Sequence, residues 1–227
     1  MRTKSLIVSD IRFQYRYGFY FIYLVFSVLY IGILFALPES WRRAAALLMI
    51  FTDPAAMGLF FMGAIVLFEK SERVLNSIAV SPVKPLEYVV SKLVSIGLIA
   101  TLVACVIGFS AGIVARPIVF VVAVFLCSCL FSAAGLIVAS KITTLNQFII
   151  AAIPAEIIIV IPAVLWMFWF KSNLFMIHPG VSMLMLCSGE GNVGLALLSL
   201  LIWTAFSLVW AVKAVSKMLK SVGGIKL

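Results

Sequence analysis

From Tyr17 to Leu37 the chain reads YGFYFIYLVFSVLYIGILFAL, without one charged side chain. A helix needs about 20 apolar residues to cross the hydrocarbon of a bilayer. Six runs of that kind are present, over about 17–37, 44–68, 89–115, 117–140, 148–170 and 193–212. In lipid, every backbone N–H and C=O must be paired within its own segment. Runs this long and evenly apolar exclude barrel strands, so the expected fold is all-α, a polytopic membrane protein with six transmembrane helices. The composition agrees, with 65% hydrophobic and 11% charged residues against about half and a quarter in soluble domains.

The basic residues set the expected orientation. With six spans both termini share a side, and 13 of the 17 Lys and Arg fall there, against Arg42, Arg43, Arg116 and Lys171 on the other. The positive-inside bias puts both termini in the cytoplasm of a multi-pass cell-membrane protein. The net charge of +9 is scattered through the links between spans, so no nucleic-acid partner is expected; the lipid bilayer is. Arg2 and Lys4 precede the first run like the basic start of a signal peptide. That run is too long for one and lacks an Ala-x-Ala site, so it reads as a retained span.

Three pieces do not span. In residues 1–16, Ser5, Ser9, Arg12 and Arg16 form a polar stripe and Ile7, Ile11 and Tyr15 an apolar one. This reads either as an amphipathic elbow helix in the interface or as a basic flank of the first span. Residues 171–192 are moderately apolar and broken at Pro179-Gly180. They suit an external re-entrant hairpin or interfacial helix, with Cys187 a free thiol in a polar connection.

The third piece, residues 69–88, gathers much of the charge. Val74, Leu75, Ile78 and Ala79 make one face and Glu72, Arg73, Asn76 and Ser77 the other. Ser81-Pro82 ends the short helix, and Pro85 and Glu87 suit the first turn of the next. Lys92 is expected to snorkel to the headgroups. Glu69, Glu72 and Glu87 nearly balance the bases. That mixture suits docking of a protein partner better than anchoring to an anionic leaflet.

Few residues carry chemistry. No GxxxxGK[ST] loop is present, so nucleotide hydrolysis is not expected of this chain. Cys105, Cys127, Cys129 and Cys187 lack metal or redox spacing, and the lone His178 reads as a loop histidine. Two acids fall inside spans, where each costs at least about 2.5 kcal/mol. Glu156, between Pro154 and Pro162, reads as a pathway lining or as a carboxyl bonded to a neighbouring helix. Asp53 reads as a pathway group or as the cap of a helix break.

Glu69-Lys70-Ser71-Glu72, Leu75, Val80-Ser81-Pro82, Pro85-Leu86-Glu87 and Lys92-Leu93 resemble the cytoplasmic loop of type-2 ABC exporter permeases. That loop has a charged start, a leucine-bearing short helix, a Thr-Pro or Ser-Pro turn and a Gly-Lys before the third span. Arg73 stands where Gly is usual, Val74 for Thr, Asn76 for Glu and Ser91 for Gly. DPAAMGLFFMGA and EKSERVLNSIAVSP are similar to the small permeases labelled fluoroquinolone exporters. The resemblance implies a single transmembrane domain over 1–227 that acts with a second permease copy, as a homodimer or heterodimer, and with separate ABC ATPase subunits. ATP and Mg would sit on the ATPase and no cofactor on this chain. Glu69, Glu72, Arg73, Leu75, Ile78, Ser81 and Pro82 would belong to its coupling helix, and Glu156 and Asp53 to the pathway. The cargo would be an amphiphile, a drug or a lipid-like molecule, and the source a bacterium or archaeon. Two other expectations stand beside this one: a proton-coupled secondary transporter, and an intramembrane enzyme using Glu156 or His178.

Overall fold

The computed structural model describes residues 2–52, 57–169 and 171–222, and they are helical throughout their regular parts. In chain order the helices are α1 (Arg2–Arg16), α2 (Phe19–Ala36), α3 (Glu39–Thr52), α4 (Gly58–Ser71), α5 (Val74–Val80), α6 (Pro85–Ser110), α7 (Pro117–Ser140), α8 (Leu145–Phe168), α9 (Pro179–Ser188) and α10 (Val193–Val222), with a 3-10 turn at Asn173–Ile177. Five of them, α2, α6, α7, α8 and α10, are long and apolar enough to cross a membrane. The chain is a multi-pass membrane protein.

Within the run expected as a span over 44–68, the described residues belong to α3 and α4, of 14 residues each. Asp53 and Pro54, the candidate cap and break, lie outside the described residues.

α6 and α7 form the centre of the bundle, and α4 packs along α7. Close approach is possible because α7 presents small residues to α4. Ser128, Ser132, Gly135 and Ala139 fall on one face, and the Ser132 hydroxyl donates to the Gly58 carbonyl at 3.3 Å. Without a hydrophobic drive between helices in lipid, such small-residue seams bring backbones into contact. α2, α8 and α10 lie outside and leave most of their apolar surface uncovered.

Lysine and arginine side chains close several helix ends, whose last carbonyls have no partner within the helix. Arg42 Nε donates to Leu34 O at 3.0 Å at the end of α2, and Arg43 Nη2 to Ser188 O at 2.9 Å at the end of α9. Lys70 Nζ donates to Ala139 O and Ile142 O, each at 2.6 Å, and to Ser140 O at 3.2 Å, at the end of α7. Burial pushes the pKa of Lys70 down.

The segment between α8 and α10 dips into the bundle. Ile177 O accepts from Trp203 Nε1 at 2.9 Å, and His178 Nε2 donates to Ile158 O at 3.1 Å. Both partners sit ten residues inside the near ends of their helices, about 15 Å down. The Ile158 carbonyl is free because Pro162, four residues on, has no N–H. His178 thus serves the carbonyl that the helix-breaking proline exposes. α9 then climbs back to Arg43 and is buried along nearly its whole length. Cys187, expected in a polar connection, is buried on α9. It belongs to VSMLMLC, apolar on every side, and a helix with no polar face goes inside.

Gly135→Ala is predicted to destabilise the bundle by about 1–3 kcal/mol, because its Cβ would sit 2.3 Å from the Leu59 carbonyl oxygen. Gly32→Ala, where nothing lies within 4 Å, should leave thermal unfolding in detergent unchanged or slightly raised.

Candidate functional site

Residues 69–92 form a helix end, a sharp turn, a two-turn helix and a helix start. α4 ends at Ser71, and Glu72 caps it with its N–H on Phe68 O at 2.9 Å. Arg73 then takes φ 58, ψ 19, the left-handed conformation, and is the only non-glycine residue with positive φ among the described residues. One left-handed residue after a helix reverses the chain cheaply when it is glycine. Here an arginine holds the place, at a cost of roughly 1–2 kcal/mol. α5 follows at once. Ser81 closes it through its hydroxyl on Ile78 O at 2.7 Å. Glu87 Oε2 accepts from the Lys84 N–H at 2.9 Å and caps the start of α6.

α5 packs against α4 and α10. Leu75 is buried, and Val74, Ile78 and Ala79 are half-buried. Arg73, Asn76, Ser77, Val80, Pro82, Lys84 and Leu86 are exposed, and Val80 is 85% exposed. The tip is therefore a small apolar knob with a basic rim.

Beneath this tip lies a buried ionic cluster. Lys92 Nζ donates to Glu69 Oε1 at 2.6 Å and to Asp10 Oδ1 at 2.7 Å, and Tyr88 Oη donates to Glu69 Oε2 at 2.5 Å. Lys92 is 2% and Glu69 4% exposed. The ammonium also lies 4.9 Å from the Tyr88 ring centre, within reach of a cation–π attraction. One turn along, Gln14 Nε2 donates to Ser95 Oγ at 2.8 Å. The cluster fastens α1 to α6 and α6 to the last turn of α4. A second tie joins the same parts: the Tyr17 hydroxyl donates to Glu72 Oε1, and its ring stacks between Phe13 and Phe68 at 4.3 and 5.5 Å.

Two expectations are corrected here. Lys92 does not snorkel outward; it points into the bundle, because two carboxylates wait there. Glu69, expected in the docking face, uses both oxygens on Lys92 and Tyr88 and presents nothing outward. Glu72, Arg73 and Pro82 are exposed, Ser81 and Ile78 are half-buried, and Leu75 is the root of α5. Sequence reasoning missed Asp10, Gln14, Tyr88 and Ser95. Asp10 and Gln14 stand one helical turn apart, opposite the Ser5–Ser9–Arg12 stripe, and that spacing was the available signal.

Glu156 is half-exposed on α8 and makes no hydrogen bond or ion pair among the described residues. A cleft of about 600 Å³ runs beside the start of α10, lined by Met176, Ile177, Leu198 and Trp203. Among the described residues no group of His, Cys, Asp and Glu could hold a metal.

Lys92→Met should destabilise the protein by about 3–5 kcal/mol, because it leaves two buried carboxylates unpaired. Adding Glu69→Gln should return part of that loss, so thermal unfolding of the two single variants and the double variant should be non-additive. Arg73→Gly should gain about 1 kcal/mol by releasing the left-handed strain.

Residues 1–221 match the fluoroquinolones export permease protein family. Two curated relatives are fluoroquinolones export permease proteins of Mycobacterium tuberculosis, from strains CDC 1551 / Oshkosh and ATCC 25618 / H37Rv. Each is 26% identical to the chain over 208 residues, covering 86% of the chain and 84% of the relative.

Proposed function

Because the chain belongs to the fluoroquinolones export permease protein family, we propose that it is the membrane subunit of an ATP-driven exporter, working as a pair of permease copies above separate ATPase subunits. The observation that carries this reading is the contrast within residues 69–92. An exposed two-turn helix projects from a root that is locked by buried charge. A docking element needs both parts. The exposed tip meets the partner, and the rigid root passes the partner's motion to α1, α4 and α6.

In this reading residues 69–88 face the cytoplasm, in line with the distribution of Lys and Arg. Arg73, Asn76, Ser77, Val80 and Pro82 seat in a groove of the ATPase, and Glu72 ties the seat to the elbow through Tyr17. ATP and Mg belong to the ATPase. When the two ATPase subunits close, α5 is pushed, and α4 and α6 tilt with it. The cargo is an amphiphile or drug of the kind named for the relatives. Its pathway runs between two copies, where the uncovered face of α8 meets its counterpart. Glu156, half-exposed and without an ion pair among the described residues, supports such a location.

The experiment is co-purification of the tagged permease with its ATPase, together with ATP-dependent fluoroquinolone export from inverted vesicles. Val80→Asp combined with Ser77→Arg changes only exposed positions. It should cut both readouts at least about tenfold, as is typical of loss of a central contact, with unfolding temperature unchanged. Undiminished co-purification, or export that persists without ATP on a proton gradient, contradicts the reading.

A further inference from the structure

We propose that the outward face of α1 is a binding site for the headgroup phosphate of an anionic phospholipid. The inference concerns the lipid around the protein and does not depend on what is exported. α1 is divided by charge. Its one acid, Asp10, turns inward to Lys92, and Gln14 turns inward to Ser95. These bonds fix the rotation of α1 about its own axis. The opposite half carries Lys4, Arg12 and Arg16, all exposed, and no acid.

Lys4, Ser5, Val8, Ser9 and Arg12 line one shallow hollow on that face. They stand at spacings of one and two helical turns, so two cations and two hydroxyl groups border the same space. Ammonium, guanidinium and hydroxyl groups are the donors that phosphate oxygens accept.

A soluble anion would need only those donors. The same face also exposes Val8 (48%) and Tyr15 (77%) between the bases. Apolar and aromatic side chains set among cations suit the boundary between headgroups and acyl chains. The Tyr15 ring lies 6.3 Å from that of Tyr20 on α2. From there the uncovered face of α2, with Phe21, Leu24 and Val28, continues as an unbroken apolar surface. A lipid whose phosphate rests at Lys4 and Arg12 would lay its chains along α2. That continuity with the membrane-facing surface selects a phospholipid over free phosphate and over an acidic protein.

The test is native mass spectrometry of the purified full chain titrated with phosphatidylglycerol, with phosphatidylcholine and glycerol 3-phosphate as separate arms. Phosphatidylglycerol should bind in preference to phosphatidylcholine, and glycerol 3-phosphate should not displace it. Lys4→Gln with Arg12→Gln should weaken retention about thirtyfold, the factor that two near-surface cations contribute. Lys4→Arg with Arg12→Lys should restore it, and Lys213→Gln with Lys217→Gln on α10 should leave it intact. Unfolding temperatures equal to the parent's in the absence of added lipid would show that the variants fold. Equal retention by the Lys4→Gln, Arg12→Gln variant overturns the proposal. So does absence of headgroup preference. Displacement by glycerol 3-phosphate overturns the lipid assignment and leaves a free-phosphate site.

Discussion

One ammonium group, Lys92 Nζ, is the constraint on which the joining of α1, α4 and α6 depends. It lies between Glu69 and Asp10, with the Tyr88 hydroxyl completing the Glu69 carboxylate. Charge is scarce in this chain, which has 17 basic and 8 acidic residues in 227. Burying three of them together is expensive, since each ion loses several kcal/mol of hydration. A well-packed apolar contact would hold helices together at less cost. What the ionic cluster adds is direction: two carboxylates on two helices accept from one point, so the rotation of α1 and the position of the α4 end are set together. Such registry is the best-attested use of buried ion pairs.

The same economy appears elsewhere. Lys70, Arg42 and Arg43 sit where helices end, on carbonyls that would otherwise be unpaired. His178 does this for the carbonyl freed by Pro162, and so pins the dipping segment against α8. Polar groups in this chain thus close backbone ends and fix helices relative to one another, while the faces of α2, α8 and α10 remain apolar. The α5 tip is the exception. Asn76, Ser77 and Val80 stand exposed on its outer side while Leu75 roots it in the bundle.

Much of the fold was legible in the sequence. α7 coincides with the run read over 117–140 and opens at Pro117; α5 occupies Val74–Val80, ends at Ser81-Pro82, and is followed by α6 opening at Pro85. These are local signals of periodicity, caps and proline. The departure of Arg73 from the usual glycine was visible too, and its left-handed backbone explains the preference. The errors were non-local. Hydropathy gives the cost of burying Lys92, but not that Asp10 waits 82 positions away. The burial of α9 could have been read from its lack of a polar face. The pathway was not legible: Glu156 has no ion pair among the described residues, and Asp53 lies outside them.

The central claim is that α1 and the root of α5 move as one body. It is tested most directly by the distance between spin labels at Ser5 and Ser77, measured with and without ATP in the proposed complex with an ATPase. The account predicts one narrow distance distribution that ATP leaves in place, and that Lys92→Met broadens. A distribution that is already broad in the parent, or that shifts on ATP by more than its own width, would contradict it.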